Sequence, residues 1–200
     1  MIVDISFDDG TETDSNVLQI IYDRGLVPYT TFYLPTKSWG FQNYNLYKTI
    51  GVEVGGHTVN HPMDLKLLST EDLQYEIKEN KENLEDKFHY EITKFCFPRG
   101  RYNDEVVRVC TEAGYTYMRT TKVLFEFDID PACLIKGTTL HFYNRKEYNG
   151  KDWLDMANEI IDKEPEVFRC WGHSKEILEQ DGSFAKLDKL LKRLSIYVNS

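Results

Sequence analysis

Short apolar runs and longer stretches of helical period alternate along the 200-residue chain. The first run holds Ile2, Val3, Ile5 and Phe7, and it closes on Asp8, Asp9 and Gly10. A nearly continuous apolar run of this kind reads as a strand buried on both faces, the habit of parallel sheets. Asp8, Asp9 and Gly10 then sit at the carboxyl end of a central strand, where α/β folds place their sites. Behind them Val17, Leu18, Ile20 and Ile21 carry helical spacing, with Asp14 read as the cap and Gly25 as the stop. Further strands are read at 28–34, 52–54, 93–97, 115–120, 134–140 and 167–171 from their β-branched and aromatic content. Helices are read at 69–90, 103–113, 153–161 and 184–194. In the longest, Ser69 and Asp72 resemble a capping box and Leu73, Ile77, Leu84 and Phe88 form the apolar stripe. Its Glu, Lys and Asn residues read as a solvated face. Residues 37–45 read as a loop, rich in aromatic side chains at Trp39, Phe41 and Tyr44. About seven strands alternating with six or seven helices predict a parallel α/β barrel, in one domain spanning 1–200, over an open sheet.

Charge narrows the partners. The chain carries 24 basic and 33 acidic side chains, net −9, which argues against a nucleic-acid or anionic-membrane surface. A neutral or cationic substrate, such as an amino sugar, is compatible with it. No stretch of about 18 apolar residues occurs, so no transmembrane helix is expected. The opening on strand-like sequence reads as lacking a signal peptide, which makes the cytoplasm the simplest compartment; a trimmed form of an exported protein would read the same. Cys96, Cys110, Cys133 and Cys170 form no Cys-x-x-Cys pair and read as reduced, mostly buried thiols.

Several strand exits carry groups that a structural turn does not need. The first has the Asp8–Asp9 pair, whose charges repel unless a cation or a proton intervenes. The third has His57 and His61, four residues apart, which share a face if the segment makes one helical turn. The last has Trp171-Gly172-His173. Each signal is weak alone: Asp-Asp-Gly is commonly a solvated turn, and two histidines at this spacing recur by chance. Taken jointly they describe two histidines and one carboxylate on a divalent ion with open positions, a second carboxylate as base and a third histidine as acid.

In order and spacing, Ser6-Phe7-Asp8-Asp9-Gly10, His57-Thr58-Val59-Asn60-His61, Phe95-Cys96-Phe97-Pro98-Arg99-Gly100 and Gly172-His173 resemble the motifs of the polysaccharide deacetylases, the NodB-like carbohydrate esterases of family four. The resemblance runs from residue 3 to about residue 176. It implies a distorted (β/α)7 barrel and a divalent metal, usually zinc, with cobalt or nickel as alternatives. It implies Asp9, His57 and His61 as metal ligands, Asp8 as general base and His173 as general acid. The implied reaction removes acetyl groups, most often N-acetyl, from an amino-sugar poly- or oligosaccharide such as peptidoglycan or a chitin-like glycan. An oxyanion would be met by the ion and a backbone N–H near Pro98 or Arg99.

The chain departs from the pattern in two places. Many relatives have arginine directly after the phenylalanine of the third motif, holding the catalytic aspartate; here Cys96 stands there. Arg99 or Arg101 reaching back, or serving only in surface salt bridges, are both open. The leucine expected two residues before the last histidine is Trp171, which reshapes the pocket for the acetyl methyl and makes Trp171, with Pro98 and Arg99, a candidate substrate contact. Asp152-Trp153 matches a further family motif only loosely and is read as a helix start. Arg119 and His141 are open to a supporting or a structural role. A cyclic-amide or ureide hydrolase of the allantoinase or imidase kind is the second enzymatic reading, and a carbohydrate-binding pseudo-enzyme the non-enzymatic one. Trp39 and Tyr44 could stack on sugar rings in the latter.

Overall fold

The computed structural model describes residues 1–123 and 135–198. Cys133 and Leu134, and with Leu134 the start of the sixth expected strand, lie outside them. The elements are β1 (Ile2–Asp8), α1 (Asp14–Asp23), β2 (Thr30–Leu34), α2 (Trp39–Gln42), α3 (Tyr44–Ile50) and β3 (Glu53–Gly56). Then come α4 (Thr70–Gln74), α5 (Asn80–Phe88), β4 (Lys94–Cys96), α6 (Asp104–Glu112) and β5 (Tyr117–Arg119). The chain closes with β6 (Ile135–Lys136), β7 (Leu140–His141), α7 (Trp153–Ile161), β8 (Val167–Gly172), α8 (Ser174–Asp181) and α9 (Ala185–Val198).

The eight strands form one sheet in the order β6-β5-β4-β3-β2-β1-β8-β7, and the ladders are parallel. Side chains bridge it from within: the Tyr117 hydroxyl on β5 donates to Asp4 on β1 at 2.7 Å, although three strands separate them in the sheet. Arg169 on β8 donates to the same Asp4 oxygen at 2.8 Å. Such contacts need a curled, barrel-like sheet. Among the described residues no ladder joins β6 to β7, so the curl stays open there.

Strand β1 shows how the sequence builds this. Val3, Ile5 and Phe7 face the helical layer, where Phe7 stacks on Phe32 and Phe142 with ring centroids 5.2 and 5.4 Å apart. Asp4, Ser6 and Asp8 alternate with them and line the lumen, as a period of two requires. Both faces are buried, as the run predicts, yet one of them is polar. Gly55 serves the same lumen: a Cβ there would lie 2.6 Å from the Tyr33 ring.

Several local expectations are corrected. Residues 37–45 are not loop but carry α2 and the start of α3, with Ser38 capping α2 by accepting from the Phe41 amide at 3.1 Å. The strand expected at 134–140 is two short pieces, β6 on β5 and β7 on β8. Helix α8, directly after β8, was not read at all. The long helix does start at Ser69, whose hydroxyl accepts from the Asp72 amide at 3.1 Å, but a π-helical turn at Tyr75–Glu79 interrupts it. Its Glu76, Asn80 and Lys81 are buried, so that face is not simply solvated. Cys96, Cys110 and Cys170 are free and buried, as expected.

Asp14 is no cap: Thr13 occupies that position, and the Asp14 carboxylate is fully buried. It accepts from Tyr47 Oη at 2.7 Å, from Thr11 Oγ1 at 3.2 Å and from Ser174 Oγ, tying α1 to α3 and α8. Burial pushes its carboxyl up to about 6, with the hydrogen bonds pulling back only part of the way. A folded value above the unfolded 3.8 gives stability that is complete below pH 3.8 and lost as the pH rises through 6. Between pH 4 and 7 the wild type is therefore expected to lose about 2.4 kcal/mol relative to Asp14→Asn, most of the free energy of that change in proton affinity. Urea denaturation of both proteins at several pH values measures it, and parallel pH profiles would refute it.

Candidate active site

Five of the side chains singled out in the sequence converge at the carboxyl ends of β1, β3 and β8. Asp8 ends β1 and points into the lumen; Asp9 follows with φ 74°, in the left-handed region that non-glycine residues seldom adopt. That reversal turns the second carboxylate toward the histidines. His57 Nε2 and His61 Nε2 each lie 3.4 Å from Asp9 Oδ1, and His173 Nε2 lies 3.5 Å from Asp9 Oδ2.

The loop carrying His57 and His61 is held in an unusual shape. Thr58, β-branched and fully buried, has φ 71°, and His61 has φ 53°. The strain is countered from the interrupted helix. Buried Glu76, in the π turn, accepts from the amides of Val59 and Asn60 at 2.9 and 2.8 Å and from the Asn60 side chain. Asn80 accepts from the His57 amide at 2.9 Å and donates to the Leu34 carbonyl at 3.1 Å. Left-handed residues and π turns concentrate where function demands a fixed backbone. A signal for Asn80 was in the sequence: it falls in the stripe Leu73, Ile77, Asn80, Leu84, at a position that should be apolar.

The donor set fits a cation. Asp9 Oδ1 is buried and lacks a hydrogen-bond partner. His57 Nδ1 lies 2.7 Å from the Cys96 carbonyl, which can only accept, so a neutral His57 carries its proton there and turns a bare Nε2 toward Asp9. A lone pair facing a carboxylate oxygen is repulsive unless positive charge lies between them. Ligand atoms on a tetrahedral ion with bonds near 2.1 Å are about 3.4 Å apart, the spacing seen here. Burial opposes charge on His57, but Cys96, Asp9 and Asp8 together hold it well above the ordinary imidazole range. The site favours a positive charge at this point.

Asp8 is compensated differently. It is 2% exposed and receives Arg119 Nη2 on Oδ1, while the Cys96 thiol donates to Oδ2 at 3.6 Å. Burial would raise its carboxyl; Arg119, His57 and His173 outweigh that and keep it below the ordinary value, ionised. Arg119 is itself 1% exposed and lies over Tyr33 and Trp171, 5.1 and 4.8 Å from the ring centroids. Neither Arg99 nor Arg101 reaches Asp8: Arg99 is exposed, and Arg101 pairs with Asp64 at 3.2 Å. Pro98 is buried in the turn Pro98–Gly100, and Trp171 is 3% exposed, in the wall beside His173 with centroids 5.5 Å apart.

On the His173 side, Glu176 accepts from Nδ1 at 2.5 Å. Burial would lower His173, but Glu176, Asp8 and Asp9 raise it above its ordinary value. Glu176 was missed in the sequence, although its position three residues after His173, at a helix start, is the spacing at which side chains meet. Asp152 caps α7 by accepting from the Leu154 amide at 3.0 Å, the helix start it was read as.

A family model described as polysaccharide deacetylase matches residues 2–118. YxkH of Bacillus subtilis (strain 168), a curated protein named for polysaccharide deacetylase, is 26% identical over 125 residues. That match covers 59% of this chain and 44% of the relative, so the chain spans under half of the relative's length. Among solved structures, the Bc1960 peptidoglycan N-acetylglucosamine deacetylase superposes with a TM-score of 0.70 at 20% identity, over 98% of this chain and 82% of the other. BA3943, a CE4 family pseudoenzyme from Bacillus anthracis, gives 0.66 at 16% identity, over 98% and 61%. These likenesses extend the fold beyond residue 118.

Because Asp8 and Arg119 are both desolvated, removing one leaves a buried charge unpaired. Arg119→Met is expected to destabilise the protein by about 3–5 kcal/mol, and adding Asp8→Asn should recover at least half of that loss. Urea unfolding of the two single variants and the double variant at pH 7 measures both. A loss below about 1 kcal/mol for Arg119→Met would show that water reaches the pair.

Proposed function

The chain belongs to the polysaccharide deacetylase family, and from that membership and the geometry of its site we propose that it is a metal-dependent hydrolase releasing acetate from N-acetylated amino-sugar glycans. The observation that carries the reading is the buried, unpartnered Asp9 oxygen facing two imidazole nitrogens at 3.4 Å, with an ionised carboxylate on the preceding residue, Asp8. Asp9, His57 and His61 would hold the ion, most suitably zinc, with cobalt or nickel also accepted by such donors. Bound there, a divalent cation supplies Lewis-acid polarisation of the acyl carbonyl and acidifies water.

The remaining work falls to the chain's own groups. Asp8, held by Arg119 and Cys96, is fixed in orientation and takes the proton of the attacking water. His173 Nε2, facing the cluster 3.5 Å from Asp9, gives a proton to the departing nitrogen. The Trp171 indole closes the wall beside His173. A net charge of −9 is compatible with a neutral or cationic amino-sugar ligand.

Acetate release from N-acetylated chito-oligosaccharides is expected to vanish on chelation and return with zinc or cobalt. Asp9→Ala should lose both bound metal and activity, whereas Asp8→Asn should keep the metal and lose about 10²–10⁴-fold in kcat. Elemental analysis and an acetate assay separate these. Turnover of cyclic imides in place of acetylated sugars would give the allantoinase-like reading instead. Sugar affinity in the metal-loaded protein without acetate release would make it a binding relative.

A further inference from the structure

One buried cluster behind the site takes no part in the proposed reaction. His141, at the end of β7, is 3% exposed and stacks on Trp171 with centroids 3.9 Å apart and ring planes within 10°. Its Nδ1 lies 3.3 Å from Arg145 Nη1. A guanidinium can only donate, so Nδ1 is the acceptor and a neutral His141 carries its proton on Nε2. That Nε2 faces Glu176 Oε2 at 3.2 Å, the oxygen that also receives His173 Nδ1 at 2.5 Å. That carboxylate oxygen accepts the hydrogen bond of His173 Nδ1 and has His141 Nε2 beside it at ion-pair distance, without hydrogen-bond geometry, and the only His173 nitrogen left to face the cluster is Nε2.

A local ion pair in the first turn of α8 would explain His173 and Glu176 alone. It does not explain His141, which arrives from a different strand, buried, 35 positions away in sequence from Glu176, and held by Arg145. We propose that Glu176 and His141 are positioning residues for His173: the carboxylate, braced from behind by His141 and Arg145, keeps a proton on His173 Nδ1 and aims Nε2 at the leaving group. The proposal deepens the deacetylase reading and rests on it. In the acid step the Nε2–H bond breaks, the leaving nitrogen gains that proton, and His173 remains as the neutral Nδ1–H form still donating to Glu176. A carboxylate in this position also prevents the ring from flipping, which would turn the wrong nitrogen toward the substrate.

The test uses the zinc-loaded protein with ¹⁵N-labelled histidine, the His173 signals being assigned by their loss in His173→Gln. Wild-type neutral His173 is expected as the Nδ1–H tautomer. In Glu176→Ala it should become a mixture with the Nε2–H form, while Glu176→Asp restores part of the Nδ1–H population. His141→Phe preserves the stack on Trp171 and removes the nitrogen; it should shift the tautomer in the same direction, by less. In acetate release, Glu176→Ala should lower kcat about 10–100-fold with KM within twofold and unchanged zinc content, and His141→Phe about 3–10-fold. An unaltered His173 tautomer in Glu176→Ala overturns the proposal, as does wild-type kcat in both variants. If wild type releases no acetate from any glycan, the deacetylase reading fails, while the tautomer spectra still decide whether Glu176 and His141 hold His173.

Discussion

Two carboxylates on consecutive residues at the end of one buried strand cannot both stay ionised without two separate positive charges. Everything around them answers that constraint. Alternation along β1 sends Asp8 into the lumen, where Arg119 meets it away from water. A left-handed backbone at Asp9 sends the second carboxylate out of the strand's period and toward the imidazoles. The pair is thereby split into one acid with a permanent cationic partner and one acid whose partner, on the proposed reading, would be the ion. Splitting also divides the chemistry: an ionised carboxylate held by a guanidinium can accept a proton, while a ligand carboxylate has its lone pairs engaged.

Holding that arrangement requires rigidity from outside the sheet. The His57–His61 loop contains two left-handed residues, one of them β-branched, and each such residue costs on the order of 1 kcal/mol or more. The loop stays in place because Glu76 and Asn80 satisfy its amides from a helix that is itself interrupted by a π turn at that point. The interruption and the loop are one device. A regular helix would turn the Glu76 side chain away from those amides.

The apolar pattern was enough to read the strand–helix alternation and the curled parallel sheet, because burial on both faces leaves an unmistakable run in β1 and β8. It could not show that the lumen face is polar. Asp4, Ser6 and Asp8 look like interruptions of a strand until Tyr117 and Arg169 appear opposite them. The helices at 39–50 escaped reading because their aromatic residues mimic loop or strand composition and their cap, Ser38, precedes only one short turn. Asp9, His57, His61 and His173 were legible because their residue types and spacing carry chemistry directly. The groups that support them were harder to read: Arg119 stood out without its partner, and Glu76 and Asn80 act through contacts between elements far apart in sequence, although the place of Asn80 in an apolar stripe and the i+3 spacing of Glu176 were signals there to be used.

The arginine shows why such groups hide. Family resemblance reserves for it the position of Cys96, on β4. In this chain Arg119 is the register partner of Cys96 on the neighbouring parallel strand. Partners in register on adjacent parallel strands project to the same face at the same height, so a guanidinium one strand over still reaches the same carboxylate. Cys96 keeps a weaker hold on the other oxygen of Asp8, and the vacated volume is filled by a thiol rather than a cavity. What the site preserves is a charge at a height in the lumen, and the position in the sequence is free to move. The same logic applies to His173, whose carboxylate partner comes from its own helix and is braced across the wall by His141. A motif read along the chain finds the groups that react; the groups that hold them are found by asking which neighbour in the sheet could reach the same atom.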